Sequence, residues 1–237
     1  MSTHALRHAD RGEVERLGVS IHWIWLAGGL LAAFAVPFLL ADVAGLTRDL
    51  YYGLYALFVV GLLAAWAWST GYDLVTAVRR RWVVAVALGA AAGAVLAAVI
   101  LRSEEATGRP EGAELVGAVL WRGVVYGLAD GLLLSVFPIL VVFAALAGSR
   151  LNGHVAGKLA IGVVALAATF AMTAVYHAGY SDFRSEKIGK PVTGNAVWSL
   201  PTLVTLNPVG APIAHAGMHV TAVLHSYETD TFLPPHR

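Results

Sequence analysis

Four residues that could do chemistry lie inside apolar stretches of the sequence: Asp130, His177, His215 and His219. Asp130 follows YGLA and precedes GLLLSVF, with no opposite charge beside it. A charge at the centre of a bilayer costs about 2.5–3.5 kcal/mol on insertion scales, so such an acid marks a functional-site hypothesis. The structural alternative is that Arg122 or a nearby histidine neutralises Asp130 as part of helix packing.

The three histidines supply the rest of the candidate site. His215 and His219 are four residues apart, which places them about 40° apart on one helix face, a single turn from each other. His177 ends the preceding apolar run. We expect these side chains and Asp130 to share one leaflet and to converge on one cavity. His22 and His225, near helix ends, are interpreted as interfacial anchors.

The elements that carry these residues are predicted to be membrane helices. Of the 237 residues, 58% are hydrophobic and 13% charged, with a mean hydropathy of +0.69, whereas soluble domains carry roughly 25% charged residues. Apolar runs near the roughly 20 residues needed to cross a bilayer must be helical, because lipid offers the backbone no hydrogen-bond partners. The sequence therefore predicts an all-α polytopic integral membrane helical bundle with about six transmembrane helices.

The predicted crossings form a single integral membrane domain, 1–237, with polar tails at 1–16 and 228–237. They cover residues 17–41, 49–70, 82–101, 116–147, 155–178 and 211–227. Pro201, Asn207-Pro208 and Pro212 interrupt the apolar run before the last crossing, and proline disfavours helix at its own and the preceding position. We expect a broken or re-entrant segment at 196–206, which would return the chain to the side of His177.

Composition also limits the partners and the chemistry. The chain has no cysteine, which excludes disulfides, thiolate nucleophiles and iron–sulfur clusters. No nucleic acid is expected, since the net charge is +1 and there is no basic stripe beyond Arg79, Arg80 and Arg81. The expected surroundings are membrane lipids in a multi-pass cell-membrane protein. Nine lysines and arginines against six favour both termini in the cytoplasm.

Small residues predict one helix–helix contact. Gly89 and Gly93 are four residues apart in an alanine-rich stretch, a spacing that lets two membrane helices approach closely.

The part of the chain from residue 116 to residue 225 resembles a known family. The order of Asp130, the segment AVYHAG and the segment PIAHAGMHV resembles the motif order of the CAAX-protease and bacteriocin-processing membrane endopeptidases. The resemblance implies a paired-glutamate motif with a downstream arginine, a Phe-x-x-x-His motif and a His-x-x-x-Asn motif on successive membrane helices. In that family a glutamate and a histidine activate the water that attacks a peptide bond.

The first motif departs from the family pattern. Asp130, preceded by Ala129, stands where the second glutamate belongs, and Leu134 occupies the arginine position. The departure puts retained proteolysis in doubt.

The other two motifs are better kept. By the same resemblance, His177 and His215 stand at the family histidines, whereas Thr173 replaces the phenylalanine and His219 the asparagine. The resemblance implies a metal-independent hydrolase without a cofactor, in which Asp130 and His177 hold the water. His215 and His219 would donate to the oxyanion, and the substrate would be a membrane-anchored peptide.

Two other classes of function fit the same residues. A b-type haem could be ligated by His177 with His215 or His219, and a divalent metal could be bound by the three histidines and Asp130. A small transporter or a membrane partner subunit could use Asp130 and the broken segment as a proton or solute path.

Overall fold

The computed structural model describes residues 21–229 and 232–234, which form helices and the turns between them. In chain order the helices are α1 Ile21–Val43, α2 Arg48–Thr70, α3 Leu74–Arg79, α4 Trp82–Ser103, α5 Gly112–Ala145, α6 Val155–Ala178, α7 Gly189–Thr205 and α8 Gly210–His225. Short 3₁₀ turns lie at Arg150–Gly153, Ser181–Phe183 and Glu186–Ile188. The described part of the chain contains no strand, so the predicted all-α fold class is confirmed.

Five of these helices are long and apolar enough to cross a membrane: α1, α2, α4, α5 and α6. Large apolar side chains such as Leu31 and Leu57 lie on their outer faces and are about three-quarters exposed, at 75% and 73%. Outward apolar faces on long helices suit contact with lipid chains rather than water. The predicted polytopic bundle is therefore present, while the predicted polar tail 1–16 lies outside the described residues.

The chain before the last helix takes a different path from the predicted re-entrant one. Helix α7 has 17 residues and begins beside the end of α4, where Lys190 Nζ lies 3.3 Å from Glu104 Oε1. After α7, the Asn207 side chain donates hydrogen bonds to the carbonyl oxygens of Val78 and Arg80, just before α4 begins. Helix α7 therefore runs the full length of α4, and the expected return at 196–206 is wrong. The expected break is confined to the turn between α7 and α8.

Because α7 crosses to the other end of the bundle, α8 runs in the direction opposite to the one predicted. One end of the bundle is formed by α3 and its flanking turns and is here called the α3 end. Helix α8 starts at the α3 end. It finishes at the opposite end, where His225 Nε2 lies 3.0 Å from the Glu104 carbonyl oxygen. The start of α1 lies at the α3 end, because Trp66 near the end of α2 donates to His22 Nδ1 at 3.2 Å. The start of α1 and the end of α8 therefore lie at opposite ends of the helical bundle.

Helix α8 packs against a glycine stripe on α5. Gly123, Gly127 and Gly131 are four residues apart and face α8. A Cβ atom at Gly131 would lie 2.4 Å from Pro212 Cα, and one at Gly127 would lie 2.7 Å from Ala216 Cα. Since only glycine permits this approach, the stripe brings the backbone of α8 against the α5 face that carries Asp130.

The other side of α8 packs on α4 through the predicted glycine pair. A Cβ atom at Gly89 would lie 2.5 Å from the Gly210 carbonyl oxygen, and one at Gly93 would lie 3.4 Å from the Ala214 carbonyl oxygen. The predicted contact face is confirmed, and α8 is held between two helices of the bundle core.

The end of the chain is also packed. Leu233 lies within residues 228–237, which were predicted to be a polar tail, but its side chain is fully buried among residues of α4, α7 and α8. This part of the prediction is corrected for the described residues 232–234.

Candidate functional site

The structure places the four singled-out residues around one cavity of about 370 Å³. Asp130 comes from α5, His177 from the last turns of α6, and His215 and His219 from α8. All four side chains are buried, with 1–6% of their surface exposed. The sequence predicted this convergence, although α8 brings its histidines from the α3 end and not from the side of His177.

Asp130 lies in an unusual stretch of helix. The α-helical segment Tyr126–Gly131 is flanked by two wider π-helical segments, Val119–Val125 and Leu132–Val136. Such segments are frequent at functional sites because they re-aim side chains along one helix. The Asp130 carboxylate accepts a hydrogen bond at Oδ1 from the Tyr55 hydroxyl, at 2.7 Å. Its other oxygen, Oδ2, lies 3.3 Å from His219 Nε2.

Arg122 does not neutralise Asp130. Its guanidinium instead forms a bidentate pair with Asp49 on α2, with both N–O distances at 2.7 Å, and donates a further bond to Tyr227. In this bidentate geometry two guanidinium nitrogens donate to the two carboxylate oxygens, which is a strong arrangement for an arginine–aspartate pair. The structural alternative that assigned Arg122 to Asp130 is therefore wrong, and a histidine is the charged or chargeable neighbour of the acid.

His215 and His219 have unsatisfied ring nitrogens. None of their four nitrogens makes a hydrogen bond with any described residue. His219 Nε2 lies 3.3 Å from Asp130 Oδ2, which is an ion-pair distance. Buried polar groups are nearly always paired, and an unpaired one costs about 1–3 kcal/mol. A bound ligand or buried water would satisfy these two adjacent imidazoles.

The positions of the three side chains suit a metal ion. Asp130, His215 and His219 each offer one ligand atom, and these atoms lie within 4.8 Å of one another. Zinc holds histidine nitrogen and carboxylate oxygen at about 2.0–2.2 Å, so ligand atoms on one ion lie roughly 3–4 Å apart. The separations of up to 4.8 Å are wider than this spacing, so a bound ion would draw the three ligand atoms closer together.

Aromatic rings determine how the two imidazoles are oriented. The Trp198 ring on α7 packs edge-on against His215 at 4.4 Å between ring centroids, and the Tyr126 ring packs edge-on against His219 at 4.8 Å. The two imidazoles are nearly parallel, at 27°, with centroids 5.9 Å apart. These contacts limit ring rotation, which is the preorganisation that a ligand site needs.

His177 stands apart from that group of three but lines the same cavity. Its Nδ1 donates to the Thr173 carbonyl oxygen at 2.8 Å, which leaves Nε2 as the proton-accepting nitrogen. The Thr173 hydroxyl also accepts a hydrogen bond from Asn195. The tautomer of His177 is thereby set for an acceptor role.

A buried cluster of tyrosines that the sequence did not predict lies beside Asp130. The hydroxyls of Tyr51, Tyr126, Tyr176 and Tyr180 are hydrogen-bonded to one another in a buried cluster, and Tyr55 packs against this cluster while bonding Asp130. Tyr51 and Tyr55 are one helical turn apart in an apolar run, so their side chains lie on one face of α2. This spacing is the sequence feature that could have indicated the cluster.

The cavity reaches the apolar surface between α4 and α7. Val95 and Val99 line it, and their side chains are about half exposed, at 53% and 50%. The ion pair of Lys190 and Glu104 lies at the end of the same opening, away from the α3 end. The route into the site is therefore apolar along its length and charged at one end.

No protein-family model, no curated protein and no solved structure matches the chain. The functional argument therefore rests on the geometry of the site.

Proposed function

We propose that this protein is a membrane-embedded metal-dependent hydrolase, in which Asp130, His215 and His219 bind one divalent metal ion. The observation that supports the proposal is a pair of buried imidazoles whose ring nitrogens make no hydrogen bond with a described residue, each offering one ligand atom within 4.8 Å of an Asp130 carboxylate oxygen. A metal ion would satisfy one nitrogen of each ring and the carboxylate together.

The ligand set suits catalysis more than structure. Structural zinc sites are closed by four protein ligands, whereas catalytic sites use three and keep one position open. Two histidines and one carboxylate also form the ligand set of non-haem Fe(II) sites, so the identity of the ion is an outcome of the test. A bound divalent ion supplies a Lewis acid and a water that loses its proton near neutral pH.

The other residues have distinct roles in this proposal. His177 accepts a proton at Nε2, since its Nδ1 is committed to the Thr173 carbonyl oxygen. Tyr55 positions Asp130 by donating to Oδ1, the kind of outer contact that orients metal ligands in other proteins.

The opening of the cavity supports a substrate that arrives from the bilayer. An apolar route between α4 and α7 admits a lipid-embedded segment, and the pair of Lys190 and Glu104 at one end suits its polar boundary. A membrane-anchored peptide, the substrate class implied by the family resemblance, has this chemistry.

Two rival functions make different use of the same residues. In a metal-independent hydrolase, Asp130 and His177 would activate water without an ion, and the free nitrogens of His215 and His219 would await an oxyanion. A b-type haem needs open space beside each imidazole, and the Trp198 and Tyr126 rings occupy part of that space. A single ion therefore fits the site better than a macrocycle.

The first experiment is metal analysis of the full chain, purified in detergent without a polyhistidine tag. We expect about one divalent ion per chain in the wild type and less than a tenth of that in His215→Ala and His219→Ala. The matched control is His154→Asn, because His154 caps α6 at the surface and asparagine preserves the cap. The second measurement is cleavage of a membrane-anchored peptide with and without a chelator.

Each outcome separates the proposals. Metal in the wild type and in His154→Asn, lost from both site variants, supports the metal centre, and chelator-sensitive cleavage supports the hydrolase. Cleavage that survives complete metal removal but is lost in Asp130→Asn would favour the metal-independent hydrolase. A Soret band that disappears in His177→Ala would establish a haem and overturn the proposal.

A further inference from the structure

A second cavity lies at the α3 end of the bundle, far along α7 from the candidate metal site. It has a volume of about 850 Å³ and is bounded by the turn before α4, the end of α5, the start of α6 and the end of α7. Its walls are apolar and include Leu140, Phe143, Leu159, Val163, Leu166 and Leu203. We call it the α3-end groove.

The rim of the α3-end groove is basic. Arg80 and Arg81 come from the turn before α4, and Lys158 comes from the first turn of α6. None of these three makes an ion pair with a described residue, and the described residues that line the groove include no acid. Three unpaired cations over an apolar slot are complementary to a molecule with an anionic head and a hydrocarbon chain.

The basic turn is held in place by the turn between α7 and α8. Asn207 Nδ2 donates to the backbone oxygens of Val78 and Arg80, and Arg81 adopts a left-handed backbone conformation with φ of 49°. A non-glycine residue rarely adopts this conformation without support from its surroundings. Arg80 and Arg81 therefore project from a turn that is held by hydrogen bonds and not from a free loop.

The groove also opens towards lipid. Leu159 and Val163 on its outer wall are 66% and 68% exposed, and a Cβ atom at Gly162 between them would meet no atom within 4 Å. An acyl chain can lie against this wall from the side of the bilayer, while a head group stays near the basic rim.

We infer that the α3-end groove binds an anionic phospholipid, with its phosphate against Arg80, Arg81 and Lys158 and one acyl chain between α5, α6 and α7. Basic pockets between membrane helices recognise anionic head groups in this way. Guanidinium groups also match phosphate oxygens geometrically. This site is independent of the proposed metal centre.

The test is native mass spectrometry of the full chain, titrated with dioleoylphosphatidylglycerol or dioleoylphosphatidylcholine. We expect tighter binding of the anionic lipid by the wild type. Arg80→Gln with Arg81→Gln should weaken that binding by about fivefold per arginine, with little change for the zwitterionic lipid. The matched control is Arg79→Gln with Arg150→Gln, which removes two charges from the same end of the bundle outside the groove lining.

A second pair of variants tests the acyl chain. Gly162→Phe fills the outer wall and should reduce binding of phosphatidylglycerol at least tenfold, an effect of the size expected for a blocked hydrophobic pocket. Gly61→Phe on α2 is the control, because Gly61 is exposed and also has no atom near its Cβ position.

Three results would overturn the inference. Equal affinity of the wild type for the two lipids would show that the rim does not select charge. An equal loss of phosphatidylglycerol affinity in the Arg79 and Arg150 control would show that the lipid is attracted by the general surface charge and not by the groove. Unchanged binding in Gly162→Phe would show that no chain occupies the groove.

Discussion

Removing the Tyr55 hydroxyl is the sharpest perturbation of the proposed metal centre, because it deletes one oxygen and leaves the ring packing. The hydroxyl donates to Asp130 Oδ1 at 2.7 Å, and both side chains are buried, with 0% and 3% exposed. A hydrogen bond to a charged group contributes about 1.5–3 kcal/mol. Outer contacts of metal ligands typically change metal affinity 10–100-fold, which corresponds to about 1.4–2.8 kcal/mol. The two ranges agree.

We therefore expect Tyr55→Phe to raise the dissociation constant for zinc about 10–100-fold. The assay is competition against a chromogenic chelator in detergent, with thermal unfolding of the metal-free protein measured in parallel. An ordered, cooperatively unfolding variant with weakened zinc binding is the expected result.

Tyr52, one turn before Tyr55 on α2, provides a closely matched control. The Tyr52 hydroxyl is buried without a partner, and its ring stacks on Tyr126 at 3.8 Å between centroids. Tyr52→Phe removes an unsatisfied group, so zinc affinity should stay within about twofold and stability should be unchanged or higher. Wild-type affinity in Tyr55→Phe, or an equal loss in Tyr52→Phe, would refute the reasoning.

Three further predictions concern packing and pH. Gly131→Ala forces a Cβ atom to 2.4 Å from the α8 backbone and should abolish metal binding, whereas Gly117→Ala, with open space at its Cβ, should bind normally; equal metal content in the two would contradict the close packing. Asn195→Ala removes three hydrogen bonds between α6 and α7 and one within α7, and it should cost about 2–4 kcal/mol in unfolding free energy, since each is worth about 0.5–1.5 kcal/mol; a cost below about 0.5 kcal/mol would mean that this network does not stabilise α7. Hydrogen bonds from the first turn of α3 lower the pKa of Asp73 below its ordinary 3.8, so its stabilisation is present above that value and lost as pH falls through the depressed pKa. The melting temperature of Asp73→Ala should accordingly be lower than that of the wild type near neutral pH and converge with it in strong acid, and a constant difference would contradict the assignment.

The class of fold and several residues of the candidate site can be predicted from the sequence alone. Hydropathy alone predicts membrane helices, because a bilayer forces every backbone group to find its partner within its own segment. The same cost makes Asp130 and the histidines conspicuous, and the structure places them around one cavity. The spacing of Gly89 and Gly93 likewise predicted a close helix contact that the structure contains.

The paths of α7 and α8 and the pairing of polar side chains depend on how the helices pack together. Helix α7 is too polar to be recognised as a crossing, but its Asn195 and Ser199 side chains are satisfied by α5 and α6, so their burial depends on neighbours far away in sequence. The choice of Asp49 as the partner of Arg122, and of Tyr55 as the partner of Asp130, depends on helix rotation and on the distance between backbones. Hydropathy is a property of each segment, whereas these pairings are properties of several helices packed together, which is why the sequence singled out the residues of the site without revealing their partners.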